Sequence, residues 1–209
     1  MPRYYVDKEL FRVVPLTDIL PYIEATSSIR LARLRVLLAL AFMTGARVAE
    51  LLRLRKGDFR TNPKRELRIR LFTLKTYSSK RYRQAHERKV RLIPPTRELI
   101  FDADKDPFMK DVIIPFLRTL DNREDKLFNR TKRWYQQKLF ELNSQIHGEK
   151  LEKYITFHYL RHSAITHIAR DLGGTGADIQ GWTGHRGSSF EIYIIPAPVE
   201  KFKGKMGER

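Results

Sequence analysis

Apolar positions along this 209-residue chain follow a helical period toward both ends and a two-residue period in between. Residues 16–25, LTDILPYIEA, predict a short helix capped by Thr17. Ser27 and Ser28 open a longer one, IRLARLRVLLALAFM, whose nearly apolar second half marks it as the buried central helix. Thr44-Gly45 stops it, glycine supplying the left-handed residue that ends many helices. ARVAELLRLRK starts another helix at once, with Val48, Leu51 and Leu52 facing the core and Arg47 in its first turn.

Residues 66–93 change period. ELRIRLFTLK and ERKVRLIP alternate, and predict the two strands of a β-hairpin with Lys75 at the end of the first. The loop between them, TYSSKRYRQAH, is polar and basic with two tyrosines; Lys80, Arg81 and Arg83 suit a nucleic-acid backbone. TRELIFDA and DVIIPFLRTL predict helices, the second bent by Pro115. Thr131 caps a further helix with Tyr135, Leu139, Leu142 and Ile146 as its core stripe, and Trp134 and Tyr135 belong to the core rather than to a stacking platform. His147-Gly148 ends it. After Thr156 the buried stripe is Phe157, Leu160, Ala164 and Ile168, closed by Gly173-Gly174, and a short helix runs through Asp178, Ile179 and Gln180. The fold class is α+β: mainly α-helical with a small antiparallel β-sheet or hairpin. There is no internal repeat. Residues 1–209 are expected to form one domain, with 1–15 an N-terminal extension and 194–209 a short tail whose start Pro196 and Pro198 keep extended.

Composition narrows the partners. The net charge is +17 and the excess is spread along the chain, which points to a polyanion such as nucleic acid. Without cysteine there is no disulfide, thiolate metal site or cysteine nucleophile. No run of ~18 apolar residues could span a membrane, so a cytoplasmic, nucleoid-associated protein is expected.

The chemistry concentrates in residues 156–193. His158 and Arg161 are three apart on one predicted helix face, a Gly184-His185 turn follows, and Tyr193 lies eight residues beyond that histidine. These side chains are phosphate-directed or nucleophilic, and no acidic cluster or metal-ligand spacing accompanies them. The chemistry they suggest is attack of a tyrosine hydroxyl on a phosphodiester. His162 and His167 are assigned structural roles.

Three separated blocks resemble the tyrosine recombinase, or phage integrase, family in the right order. TGARVAELLRLRKGDF is close to T-G-x-R-x-x-E-L-x-x-L-x-x-x-D, HYLRHSAITH to H-x-L-R-H-x-x-A-T-H, and IQGWTGHRGSSFEIY to I-Q-x-x-L-G-H followed by a tyrosine. TLKT matches the family's hairpin lysine. The resemblance implies a tyrosine recombinase catalytic-domain fold with catalytic Arg47, Lys75, His158, Arg161, His185 and Tyr193, and Glu50 orienting the arginines. It implies a site-specific recombinase or integrase that acts on double-stranded DNA attachment sites, forms a synaptic tetramer and needs neither metal nor other cofactor. A type IB topoisomerase-like relaxing enzyme and a non-cleaving DNA-binding regulator on the same fold are the alternatives. Three departures stand out. The spacing from His185 to Tyr193 is one residue shorter than in many relatives, Thr183 replaces a usual leucine, and no N-terminal core-binding domain is expected in these residues.

Overall fold

The computed structural model describes residues 14–73 and 95–184. Helix α1 (Leu16–Ala25) is entered from Pro15 rather than from Thr17, which lies inside its first turn. The proline sets φ at −72° and its carbonyl accepts the Asp18 N–H at 3.1 Å, so the helix starts two residues earlier than a threonine cap would allow. A 3₁₀ turn, Ile29–Leu31, leads into α2 (Ala32–Thr44). Val36 to Ala41 are all buried, so this is the central helix that its unbroken apolar run predicts. Gly45 then takes φ 57° and returns its N–H to the Ala41 carbonyl.

The next helix, α3, is only one turn, Val48–Leu51, and shorter than predicted. The carbonyl of Leu54, free in a continuing helix for a residue four places on, instead accepts from the Leu127 N–H at 3.0 Å, and Arg55 bridges to Lys126. Long-range backbone pairing wins over local helix propensity here.

β1 (Phe59–Thr61), β2 (Glu66–Phe72) and β3 (Thr96–Asp102) form an antiparallel sheet in that order. The sequence reading is corrected at β3. TRELIFD is a strand, not a helix, and it pairs with β2 throughout, Ile69 opposite Leu99 and Leu67 opposite Phe101. In a helix Leu99 and Phe101 would diverge by roughly 200°, whereas in a strand they share the buried face. Cross-strand pairing of Arg68 with Glu98 at 3.1 Å covers the other face. The predicted partner ERKVRLIP lies outside the described residues.

A π-helical turn, Met109–Ile113, passes into α4 (Ile114–Arg118). Pro115 supplies no N–H to the ladder, and the widened turn before it accommodates the break, so the predicted bend is a change of helix type. α5 (Lys132–His147) is capped by Thr131 as expected, its hydroxyl accepting from the Trp134 N–H at 3.2 Å. Tyr135, Leu139 and Leu142 face the core, with Trp134 and Ile146 packed against it. α6 (Phe157–Arg170) is capped by Thr156 and buries the predicted stripe of Phe157, Leu160, Ala164 and Ile168. It packs directly on α2. α7 (Gly176–Thr183) starts with a Thr175/Asp178 capping box and ends at Gly184, φ 69°. Among the described residues no helix is long and apolar enough to cross a membrane.

The fold is therefore mainly helical with a small antiparallel sheet, and the central helix α2 carries its weight. Its C-terminal turn, one side of α6 and the end of α7 converge at one place.

Candidate active site

The convergence begins at residues 44–47. The Thr44 hydroxyl bonds back to the Leu40 carbonyl at 2.6 Å and accepts the Ala46 N–H at 3.1 Å, so the turn is fixed from inside. A Cβ on Gly45 would lie 2.8 Å from that of Ala164, which lets α6 press against the turn. Arg47 then occupies the N-cap of α3. Its N–H donates to Glu50 Oε2 at 3.3 Å, and its Nη1 donates to Glu50 Oε1 at 3.2 Å and to the Gly184 carbonyl at 3.4 Å. The Arg47 side chain retains 28% exposure while that of Glu50 is fully buried.

Arg161, in the second turn of α6, is only 6% exposed. Its Nη1 donates to the carbonyls of Gly45 and Thr183, the latter at 2.8 Å. A third arginine, Arg97 on β3, donates from Nε to the Trp182 carbonyl at 3.0 Å. Three consecutive carbonyls at the C-terminus of α7, those of Trp182, Thr183 and Gly184, thus each receive one guanidinium. The C-terminal end of a helix carries partial negative charge, so it is a natural anchor for cations.

His158 sits at the second position of α6, exposed at a cleft of about 480 Å³ that Arg47 and Arg161 also line. The expectation that His158 and Arg161 share a helix face holds. Partial desolvation at the cleft wall, and then the positive charge of Arg161, hold the His158 imidazole below its ordinary pKa of 6.5, which favours the neutral, proton-accepting form. The ring of His162 lies 5.4 Å from that of His158, fully buried, and burial together with His158 and Arg161 lowers its pKa to about 4. His167 points elsewhere, its Nδ1 2.7 Å from the Asp171 carboxylate on the surface.

From α5 the cleft receives Lys132, Gln136 and Asn143, one helical face that sequence reading passed over. The signal was present: polar residues at positions 132, 136 and 143 flank Leu139 at helical spacing. Asn143 also fixes the approach to α6, its Oδ1 accepting the Ile155 N–H at 2.8 Å and its Nδ2 donating to the Ile155 carbonyl at 2.9 Å. None of the described residues lining the cleft is Asp or Glu, and among the described residues no three His, Asp or Glu gather as a metal site. Two arginines and a lysine around a neutral histidine can hold an anionic, tetrahedral oxygen cluster and take a proton beside it. Arg97 was missed because its segment reads as a helix. Lys75, Lys80, Arg81, Arg83, His185 and Tyr193 lie outside the described residues.

The family model described as phage integrase family matches residues 16–195. No curated protein matches the chain by sequence. Several solved structures share the fold. The XerA recombinase matches with a TM-score of 0.65 at 20% identity, over 95% of this chain and 66% of that one. The pre-cleavage complex of the XerH site-specific recombinase with difH substrate matches with a TM-score of 0.58 at 19% identity, over 98% and 53%. The Tn1549 transposon integrase in complex with circular intermediate DNA matches with a TM-score of 0.64 at 14% identity, over 100% and 67%. The chain thus spans between about half and two thirds of the length of these proteins.

Proposed function

This chain belongs to the phage integrase family, and from that premise we propose that it is a site-specific DNA recombinase or integrase that cuts and rejoins strands through a 3′-phosphotyrosyl link at Tyr193. The observation that carries the reading is the common cleft of Arg47, His158 and Arg161, with both arginines anchored on the end of α7. XerH was solved with its difH substrate and the Tn1549 integrase with circular intermediate DNA, and double-stranded attachment-site DNA is the partner assigned to this chain, with a synaptic tetramer as the working assembly.

In the proposed step Tyr193 Oη attacks a backbone phosphorus while the bond from phosphorus to the 5′-oxygen breaks. A tyrosine hydroxyl has a pKa near ~10 and needs a base. His158, neutral and at the cleft, takes its proton. Arg47 and Arg161 hold the non-bridging oxygens as charge accumulates on them, with His185 donating a third bond, and electrostatic preorganisation of this kind is the main source of rate. Lys75 protonates the departing 5′-oxygen, which leaves as a free 5′-hydroxyl. The phosphodiester energy is kept in the tyrosyl link, so a second 5′-hydroxyl reverses the reaction on another strand. Glu50 fixes Arg47 in this scheme and takes no part in proton transfer. Lys80, Arg81 and Arg83 contact the DNA backbone.

The test is a nicked suicide substrate carrying candidate attachment-site DNA. Wild-type protein is expected to leave a covalent complex that maps to Tyr193, and Tyr193→Phe to bind equally and leave none. A covalent complex with Tyr193→Phe overturns the assignment of the nucleophile. Relaxation of supercoiled DNA with neither sequence preference nor recombinant product would convert the reading to a topoisomerase.

A further inference from the structure

Arg97 stands on the inward row of β3 with Leu99 and Phe101, a position where a charge is costly unless it is fully paired. It is fully paired. Nη2 donates to Glu50 Oε2 at 2.9 Å, Nε to the Trp182 carbonyl at 3.0 Å and Nη1 to Thr73 Oγ1 at 3.2 Å. Each of the three nitrogens therefore reaches a different element: α3, the end of α7, and the residue following β2. The Arg97 side chain is 9% exposed and that of Glu50 fully buried.

The same guanidinium packs closely against Gly184. A Cβ there would come 2.5 Å from Nη1 and 2.8 Å from Cζ, so only glycine lets the arginine approach the α7 end this closely. Gly184 is the residue whose carbonyl takes Arg47, and its neighbour Thr183 supplies the carbonyl that takes Arg161.

We infer that Arg97 is a positioning residue for strand cleavage: it fixes the Glu50 carboxylate and the end of α7, the two supports on which Arg47 and Arg161 rest. This inference rests on the recombinase reading of the cleft. First, the Glu50 carboxylate faces two guanidiniums, one on each oxygen. With Arg97 gone, Arg47 faces that buried charge without the second guanidinium beside it, and is drawn toward the protein interior and away from phosphate. Second, the carbonyls of Thr183 and Gly184 keep their direction only while the turn that carries them is held. Arg97 holds it through the Trp182 carbonyl on one side and by packing on Gly184 on the other. In sequence, Gly184 immediately precedes His185 and Thr73 stands two residues before Lys75, so the same side chain steadies the chain at the roots of two further proposed catalytic positions. A lysine cannot replace it, because one ammonium lacks the planar fork that reaches three acceptors at fixed angles.

The test compares wild type, Arg97→Ala and Arg97→Lys on the nicked substrate. It measures the rate of covalent attachment at saturating DNA, the affinity for the same DNA and the melting temperature. Misplacement of catalytic groups by a fraction of an ångström to an ångström costs ~10²-fold in rate, so Arg97→Ala is expected to slow attachment by about that factor with affinity within about threefold. Arg97→Lys is expected to lose about tenfold, and adding Glu50→Gln to Arg97→Ala to cost no more than the worse single change, since groups acting through one another do not add. A purely architectural arginine would lower the melting temperature and leave the saturated rate of the folded protein within threefold of wild type; that result overturns the positioning role and leaves the recombinase reading intact. Should Arg97→Ala not fold, the saturated rate of Arg97→Lys decides by the same threefold criterion. A wild-type protein that never links to DNA overturns the recombinase reading and this role with it.

Discussion

Arg161 Nη1 donates to the Thr183 carbonyl at 2.8 Å, so an arginine in the second turn of α6 is held by the last residue of α7, 22 positions later. The same nitrogen reaches the Gly45 carbonyl at the end of α2. Three helices are thereby tied through one guanidinium that also lines the cleft. Arg161→Lys keeps the charge but cannot satisfy two carbonyls and a phosphate from one point. Its expected effect is a loss of ~10²–10³-fold in covalent attachment at saturating DNA, the scale of removing one preorganised donor to a developing oxyanion. Single-turnover cleavage of the nicked substrate checks this. A loss that appears only in DNA affinity would mean that Arg161 holds the phosphate equally in the ground and transition states and contributes binding alone.

Glu50 is buried between Arg47 and Arg97 at 3.2 and 2.9 Å. Glu50→Gln conserves its shape and leaves two guanidiniums facing a neutral amide. Breaking one member of a buried charge cluster costs about 3–5 kcal/mol, and that range is expected from urea denaturation of this variant. Glu50→Asp, one methylene shorter, keeps the charge and is expected to lose less stability than Glu50→Gln. A stability change under about 1 kcal/mol in Glu50→Gln would show that solvent already screens the pair.

Much of this arrangement was legible from local sequence, because the features concerned are local. Arg47 and Glu50 are three apart just after a glycine-ended helix, and His158 and Arg161 are three apart on an amphipathic helix, so helical spacing sets the members of each pair side by side, while their assigned roles come from the family resemblance. β3 failed for the opposite reason. Arg97, Glu98 and Leu99 are good helix formers, and only pairing with β2, some thirty residues earlier, makes TRELIFD a strand. Arg97 went unseen as a consequence. The truncated α3 has the same origin, since Leu127, far off in sequence, takes the carbonyl that a longer helix would have used. Long-range backbone pairing is what pattern reading lacks.

His162 gives the fold an acid limit. The imidazole is fully buried beside His158 and Arg161, and its pKa falls from 6.5 to about 4. The unfolded chain therefore binds this proton near pH 6.5, the folded chain only near pH 4. Above about pH 7 both states are neutral at this position and stability is unaffected. Between pH 6.5 and about 4 the unfolded state gains the proton first, so stability falls with falling pH, by at most about 1.4 kcal/mol per pH unit and on the order of 3 kcal/mol in all. His158, shifted in the same direction, adds to the fall. Equilibrium denaturation of wild type and His162→Gln across this window measures the difference. Parallel profiles for the two proteins would remove His162 as the cause.

Two glycines of α7 offer a matched pair with opposite expected signs. Gly181 lies inside the helix, has no positive φ, and a Cβ there would meet nothing within 4 Å. Gly181→Ala removes backbone freedom from the unfolded chain and is expected to stabilise the protein by ~0.5–1 kcal/mol. Gly184 ends the helix at φ 69°, and a Cβ there would collide with the Arg97 guanidinium at 2.5 Å. Gly184→Ala carries the left-handed penalty of roughly 1–2 kcal/mol and also pushes Arg97 off the α7 end. The clash is with the far end of an arginine, which can swing aside, so the protein still folds and the damage falls on what that arginine supports. Gly184→Ala is accordingly expected to melt several degrees lower and, at saturating DNA, to attach covalently about as slowly as Arg97→Ala, while Gly181→Ala attaches at the wild-type rate. Combining Gly184→Ala with Arg97→Ala relieves the collision, so the pair is expected to be less unstable than the sum of the two single changes. Strict additivity in thermal unfolding would show that the guanidinium does not rest on Gly184 in solution.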